Sequence, residues 1–155
     1  MKKWLTIGLI VLIVAIGVFA VSKKVSPVSW GWWGDVNTSS GLAIQGYDPV
    51  AYFEAGTPTP GDSQYTHDWG GAIWQFSSAS NRDQFAAAPE SYSPQFGGFC
   101  SFAVSKGVTA DISPSAWHIE GGRLFLFADN NVKNDWVNAI DKGSIEASEA
   151  SWSKR

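Results

Sequence analysis

Sulfur and imidazole are almost absent from this 155-residue chain, which has one cysteine (Cys100), one methionine (Met1) and two histidines (His67 and His118). A single cysteine excludes an internal disulfide, so the core must hold by apolar burial alone. Soft and borderline metal ions need thiolate, thioether or imidazole, and past the first residues only Cys100, His67 and His118 supply them. Charge is missing from one end: Trp4 to Val21, WLTIGLIVLIVAIGVFAV, contains no Asp, Glu, Lys or Arg. Basic residues are scarce in the rest. Four of the 11, Lys2, Lys3, Lys23 and Lys24, precede Val25, whereas none of the 14 acids does, leaving 7 against 14 and a net charge near −7. Such a surface repels phosphate backbones, and there is neither a basic stripe nor a Gly-rich phosphate loop, so nucleic acid is excluded as a partner.

What the chain does have is apolar and aromatic: nine Trp, nine Phe and four Tyr. As a helix, residues 4–21 would rise roughly 27 Å, close to the thickness of a bilayer's hydrocarbon core. Residues 1–24 are therefore expected to be a membrane anchor, or alternatively a cleaved signal segment ending near Ala20-Val21-Ser22. The anchor would make this a single-pass protein of the cell membrane, held through residues 4–21, with its domain facing the periplasm or the cell exterior. Residues 25–40, rich in Ser and Gly and without a helical or strand period, are read as a linker. Residues 41–152 are read as one folded domain.

Within that domain, β-prone runs flank Gly70-Gly71 and again Gly121-Gly122, the pattern of two hairpins, the second pairing Glu120 with Arg123 and His118 with Phe125. Ser78 or Ser80 can cap a short helix that holds Phe85 and stops at Pro89. Val132, Trp136, Val137 and Ile140 fall at helical spacing, and Gly143 closes that helix. No internal repeat is visible. Paired strands with separate helices give the fold class: a small α+β domain of β-hairpins and short helices, preceded by an N-terminal transmembrane helix.

"GYDPVAYF" (46–53), "WQFSSASNRDQFAAAPESYSPQFGGFC" (74–100) and "AWHIEGGRLFLFAD" (116–129) resemble the YHS-domain family, in its branch of small exported stand-alone proteins. The resemblance spans residues 41–152 and implies a non-catalytic module that binds or hands on a metal ion, copper or another transition metal. This chain departs from the metal-associated branch, which has a cysteine where Ala51 stands and further thiols near the stretch Trp74 to Ala79.

Cys100 with His118, His67 or both is the metal site the inventory allows, although no two of these have ligand spacing in sequence. A nucleophilic Cys100 would need a base and an oxyanion donor. The phenylalanines on either side of it favour a buried, unreactive sulfur instead. The function expected is thus a tethered, extracytoplasmic YHS-type domain without catalysis, handling a metal. The alternative is a protein-interaction or small-ligand module whose aromatic cleft, built from Tyr47, Asp48, Tyr52, Trp74 and Trp117, needs no metal.

Overall fold

The computed structural model describes residues 2–155, with side chains placed from Ile7 onward. In chain order it contains α1 (Lys2–Ser22), β1 (Ser26–Pro27), β2 (Thr38–Ser39), β3 (Leu42–Ala43), α2 (Ala51–Glu54), β4 (Asp62–Trp69), β5 (Ala72–Phe76), α3 (Ala79–Ala87) and α4 (Pro89–Tyr92). There follow α5 (Ser101–Ser105), β6 (Val108–Thr109), β7 (Ser113–Glu120), β8 (Arg123–Phe127), α6 (Asn130–Val137) and α7 (Ser144–Trp152). The α+β class with hairpins and short helices is what the sequence leads one to expect.

The membrane expectation is corrected. Among the described residues no helix is long and apolar enough to cross a membrane. Trp4, Leu5 and Thr6 of the expected anchor lie outside the described side chains. The transmembrane helix, the single-pass placement and the periplasmic or exterior location built on it are not supported.

Both hairpins form at the expected glycine pairs, the second in the expected register. In β4–β5, Trp69 pairs with Ala72 and His67 with Trp74; in β7–β8, Glu120 pairs with Arg123 and His118 with Phe125. Each turn is a glycine pair with both φ angles positive, 62° and 78° at Gly70-Gly71 and 56° and 73° at Gly121-Gly122. Only such primed turns match the right-handed twist of the strands they join. The sheet order β2-β3-β5-β4 includes one parallel contact, Leu42 beside Ile73.

The structure shows a repeat that the sequence hides. In each half the backbone first makes a left-handed corner over three consecutive residues. These are Ile44, Gln45 and Gly46 (φ 42°, 60° and 77°) and then Phe96, Gly97 and Gly98 (φ 56°, 61° and 77°). Two residues past each corner a backbone N–H bonds across a loop, Asp48 to Thr59 O (2.9 Å) and Cys100 to Ala110 O (3.0 Å). A short helix follows, α2 or α5, then a hairpin, then a capped helix, α3 or α6. Ser78 Oγ caps α3 by accepting from Asn81 N, and Asp129 caps α6 by accepting from Asn131 N and Val132 N.

Each capped helix drops one aromatic onto its own second strand. Phe85 lies 5.1 Å from Trp74 and 5.2 Å from Phe76 between ring centres. Trp136 lies 4.8 Å from Phe125 and 5.3 Å from Phe127. The two trios are buried and merge into one core. Residues 25–40 lie against this core: Ser26 pairs with Thr109, Val28 and Val36 are buried, and Asn37 N donates to Gly97 O (2.8 Å).

Candidate functional site

The residues singled out by the sequence fall in three places. Asp48 is buried and its carboxylate is fully engaged. Oδ1 accepts from Val50 N (2.9 Å) and Ala51 N (3.2 Å), and Oδ2 accepts from Ser77 N (2.8 Å), Ser77 Oγ (2.6 Å) and Asn81 Nδ2 (2.7 Å). It thereby starts α2 and ties it to the corner where β5 becomes α3. Tyr52, beside it, is buried too, and its hydroxyl donates to Pro114 O (2.9 Å). Burial, then the nearby Tyr47 and Asp48, pushes that phenol well above its ordinary pKa. Trp117 meets the Tyr52 ring edge-on at 5.4 Å. Tyr47, Asp48, Tyr52 and Trp117 do come together, but Asp48 and Tyr52 are internal, partnered supports and leave no free group to meet a ligand. Trp74 lies elsewhere.

The candidate metal ligands are not brought together. His67 packs edge-on against Phe85 at 6.1 Å, and His118 Nε2 lies 3.1 Å from Glu120 Oε2 on the other hairpin. Cys100 is buried, and its Sγ accepts from Ala128 N at 3.3 Å. Burial pushes the thiol pKa up, against the lowering effect of nearby backbone N–H groups. Among the described residues no three His, Cys, Asp or Glu side chains form a group able to hold a metal ion. The donor set therefore does not fit the metal that the resemblance implies. Cys100 is instead the counterpart of Asp48: each accepts the backbone N–H that precedes a helix cap, from Ala128 in one half and Ser77 in the other.

Trp74 leads to a different site. With Trp69, Trp152, Val36, Asp35 and Arg155 it lines a cavity of about 390 Å³, within the range of small-ligand sites. Trp74 forms its floor, buried and fixed by its Nε1 donating to Trp69 O (3.0 Å). Trp69 stands at the end of β4, where the Gly-Gly turn holds it 6.0 Å from Trp74 and 5.8 Å from Phe85 between ring centres. Trp152, the last residue of α7, lines the cavity as well.

Arg155 crosses the rim, its guanidinium 4.5 Å over the Trp152 ring and 5.7 Å from that of Phe99. Its Nε donates to Asp35 Oδ1 (3.0 Å) and its Nη2 to Gly34 O. Its Nη1 is buried with no partner, although a buried donor without an acceptor is costly. Gly97 underlies the rim: a Cβ there would lie 1.9 Å from Asp35 O, so only glycine lets the Asp35 backbone approach.

Of this site the sequence indicated only Trp74. Trp69 carried a signal, since it directly precedes the Gly-Gly turn. Asp35, Trp152 and Arg155 carried none, because they come from segments without an apolar period. Comparisons with protein-family models, with curated proteins and with solved structures find no match.

Proposed function

We propose that this chain is a non-catalytic binding module of the YHS type that holds a small ring-bearing molecule in the Trp69–Trp74–Trp152 cavity. The observation that carries the reading is the cavity itself: a concave space lined by three tryptophans, with Asp35 and Arg155 among its polar residues. Indole rings supply large apolar contact, and a small number of polar groups at such a cavity fix orientation. The non-catalytic part rests on the two groups best suited to chemistry. Asp48 has its carboxylate engaged by five donors, and the Cys100 thiol is buried with its pKa raised.

The test is a thermal-shift screen of the full chain against ring-bearing small molecules, repeated on Trp69→Ala. A ligand present at a hundred times its Kd stabilises by about 2.7 kcal/mol, a shift of several degrees. Such a shift in the parent that vanishes in the folded Trp69→Ala variant is the expected result. A screen in which no compound shifts the parent, or in which the variant responds equally, would overturn the reading.

A further inference from the structure

One side chain stands between the cavity and a ligand. Of the three tryptophans Trp74 is buried, so only the half-buried Trp69 and Trp152 have ring surface to offer. Trp152 is already occupied. The Arg155 guanidinium lies 4.5 Å over its ring, within cation–π range. A flat molecule stacking on that ring face must first displace the guanidinium.

Arg155 is held on one side and stranded on the other. Its Nε donates to Asp35 Oδ1 (3.0 Å) and its Nη2 to Gly34 O, while Nη1 is buried and has no acceptor. The Arg155 side chain is 11% exposed, but the carboxylate that holds it is 90% exposed. An ion pair with one partner in water gains little, and a buried donor without an acceptor forgoes a hydrogen bond that water would supply. Swinging out gives Nη1 that water and frees the Trp152 ring.

The backbone permits the motion. The N–H groups of Ser153, Lys154 and Arg155 bond only to nearby carbonyls, those of Glu149, Ser151 and Trp152. The guanidinium contacts are thus what ties this segment to Gly34 and Asp35. The receiving loop is fixed instead: Asn37 N donates to Gly97 O (2.8 Å), and a Cβ at Gly97 would lie 1.9 Å from Asp35 O. A movable cation thus faces an acceptor on a fixed backbone.

We propose that Arg155 is a self-inhibitory latch on the cavity, closed by Asp35 and Gly34, which a ring-bearing ligand displaces from Trp152. The proposal rests on the binding reading above and adds its regulation: whatever weakens the Arg155–Asp35 pair, salt included, opens the site. The apparent affinity of a partly closed site is reduced by the fraction of molecules that are open.

The experiment titrates the full chain with N-phenyl-1-naphthylamine, an uncharged ring compound that fluoresces in apolar surroundings. Fluorine spectra of 5-fluorotryptophan-labelled protein accompany it, with Trp152→Phe assigning the Trp152 line. Arg155→Ala is expected to bind the dye about tenfold tighter than the parent, as for a latch open in about one molecule in ten. Asp35→Asn should bind it several-fold tighter. Raising sodium chloride to about 0.5 M, which shortens screening to a few ångströms, should narrow the gap between parent and Arg155→Ala. The Trp152 line should shift in Arg155→Ala and, in the same direction, in Asp35→Asn. Dye taken up by the exposed apolar side chains of α1 is common to all three proteins and cancels.

An arginine with a structural role alone gives a different result: Arg155→Ala would melt lower and bind the dye no tighter. That outcome, or a Trp152 line unmoved by Asp35→Asn, would overturn the latch and leave the binding module to the Trp69→Ala screen above. Should Arg155→Ala fail to fold, Asp35→Asn decides: tighter dye binding with a shifted line supports the latch, and unchanged binding overturns it.

Discussion

Asp48 and Cys100 occupy matching positions and do the same job with unequal means. The carboxylate accepts five hydrogen bonds, whereas the sulfur accepts one, at 3.3 Å. Charge-assisted hydrogen bonds are worth about 1.5–3 kcal/mol each, and removing the acceptor strands buried donors. Asp48→Ala is therefore expected to cost at least about 3 kcal/mol in a urea melt, a large fraction of a small domain's stability. Cys100→Ala should cost about 1–2 kcal/mol, the transfer of one small group plus one stranded N–H. Equal costs would show that the extra hydrogen bonds to Asp48 do not set the difference between the two corners. From the sequence Asp48 was legible only as a member of an aromatic cleft, not as the hub that gathers Ser77 and Asn81. Those residues lie about thirty positions away, and no local pattern carries that contact.

At the scale of elements, what could be read in advance was what local chemistry dictates. Gly121-Gly122 gave the second hairpin's register and Gly70-Gly71 the place of the first, and of the two serines offered as the cap of α3 Ser78 takes the role. The helix expected to run to Gly143 instead stops at Val137, and Gly143, with φ 88°, closes a separate turn after it. The duplication stayed hidden because matching positions keep a role and change the residue: Trp74 answers to Phe125, Phe85 to Trp136, Ser78 to Asp129 and Asp48 to Cys100. Helix α7 stayed hidden because Ser-Ile-Glu-Ala-Ser-Glu-Ala-Ser-Trp has no apolar stripe. It docks partly through a serine: Ser148 Oγ accepts from Trp136 Nε1 (3.1 Å) and lies 3.1 Å from Ser101 O. The matching corners predict a graded glycine series. At Gly98 (φ 77°) a Cβ would come 2.6 Å from Ile44 Cγ2, adding a clash to left-handed strain, so Gly98→Ala should cost about 3 kcal/mol. At Gly121 (φ 56°) a Cβ meets nothing within 4 Å, and the strain alone should cost Gly121→Ala about 1 kcal/mol. Guanidinium melts of the two variants side by side check the order.

Over the whole molecule, one partly buried polar junction joins segments far apart in sequence. Asp111 Oδ1 accepts from Asn37 Nδ2 (3.0 Å) and from its neighbour Ile112 N (2.9 Å), and lies 3.4 Å from Lys24 Nζ. Desolvation alone would raise the Asp111 pKa, but the Asn37 and Ile112 hydrogen bonds and the Lys24 charge outweigh it and hold it below its ordinary value. A depressed carboxylate stabilises the fold above its unfolded pKa and loses that contribution as pH falls through its folded one. Stability is thus expected to be level above about pH 5 and to fall below about pH 4. Asp111→Asn should flatten part of that slope in melts run across the acid range. A slope unchanged in Asp111→Asn would assign the acid sensitivity to other carboxylates. The buried cysteine carries a different consequence at this scale. Cys100 is the sole thiol, it is 2% exposed, and it sits where α5, β8 and the α6 cap meet. A reagent can reach it only when that junction parts, so the alkylation rate of the native protein, divided by that of the unfolded chain, is the equilibrium constant for opening. The molecule carries its own gauge of the fraction of time that junction stands open.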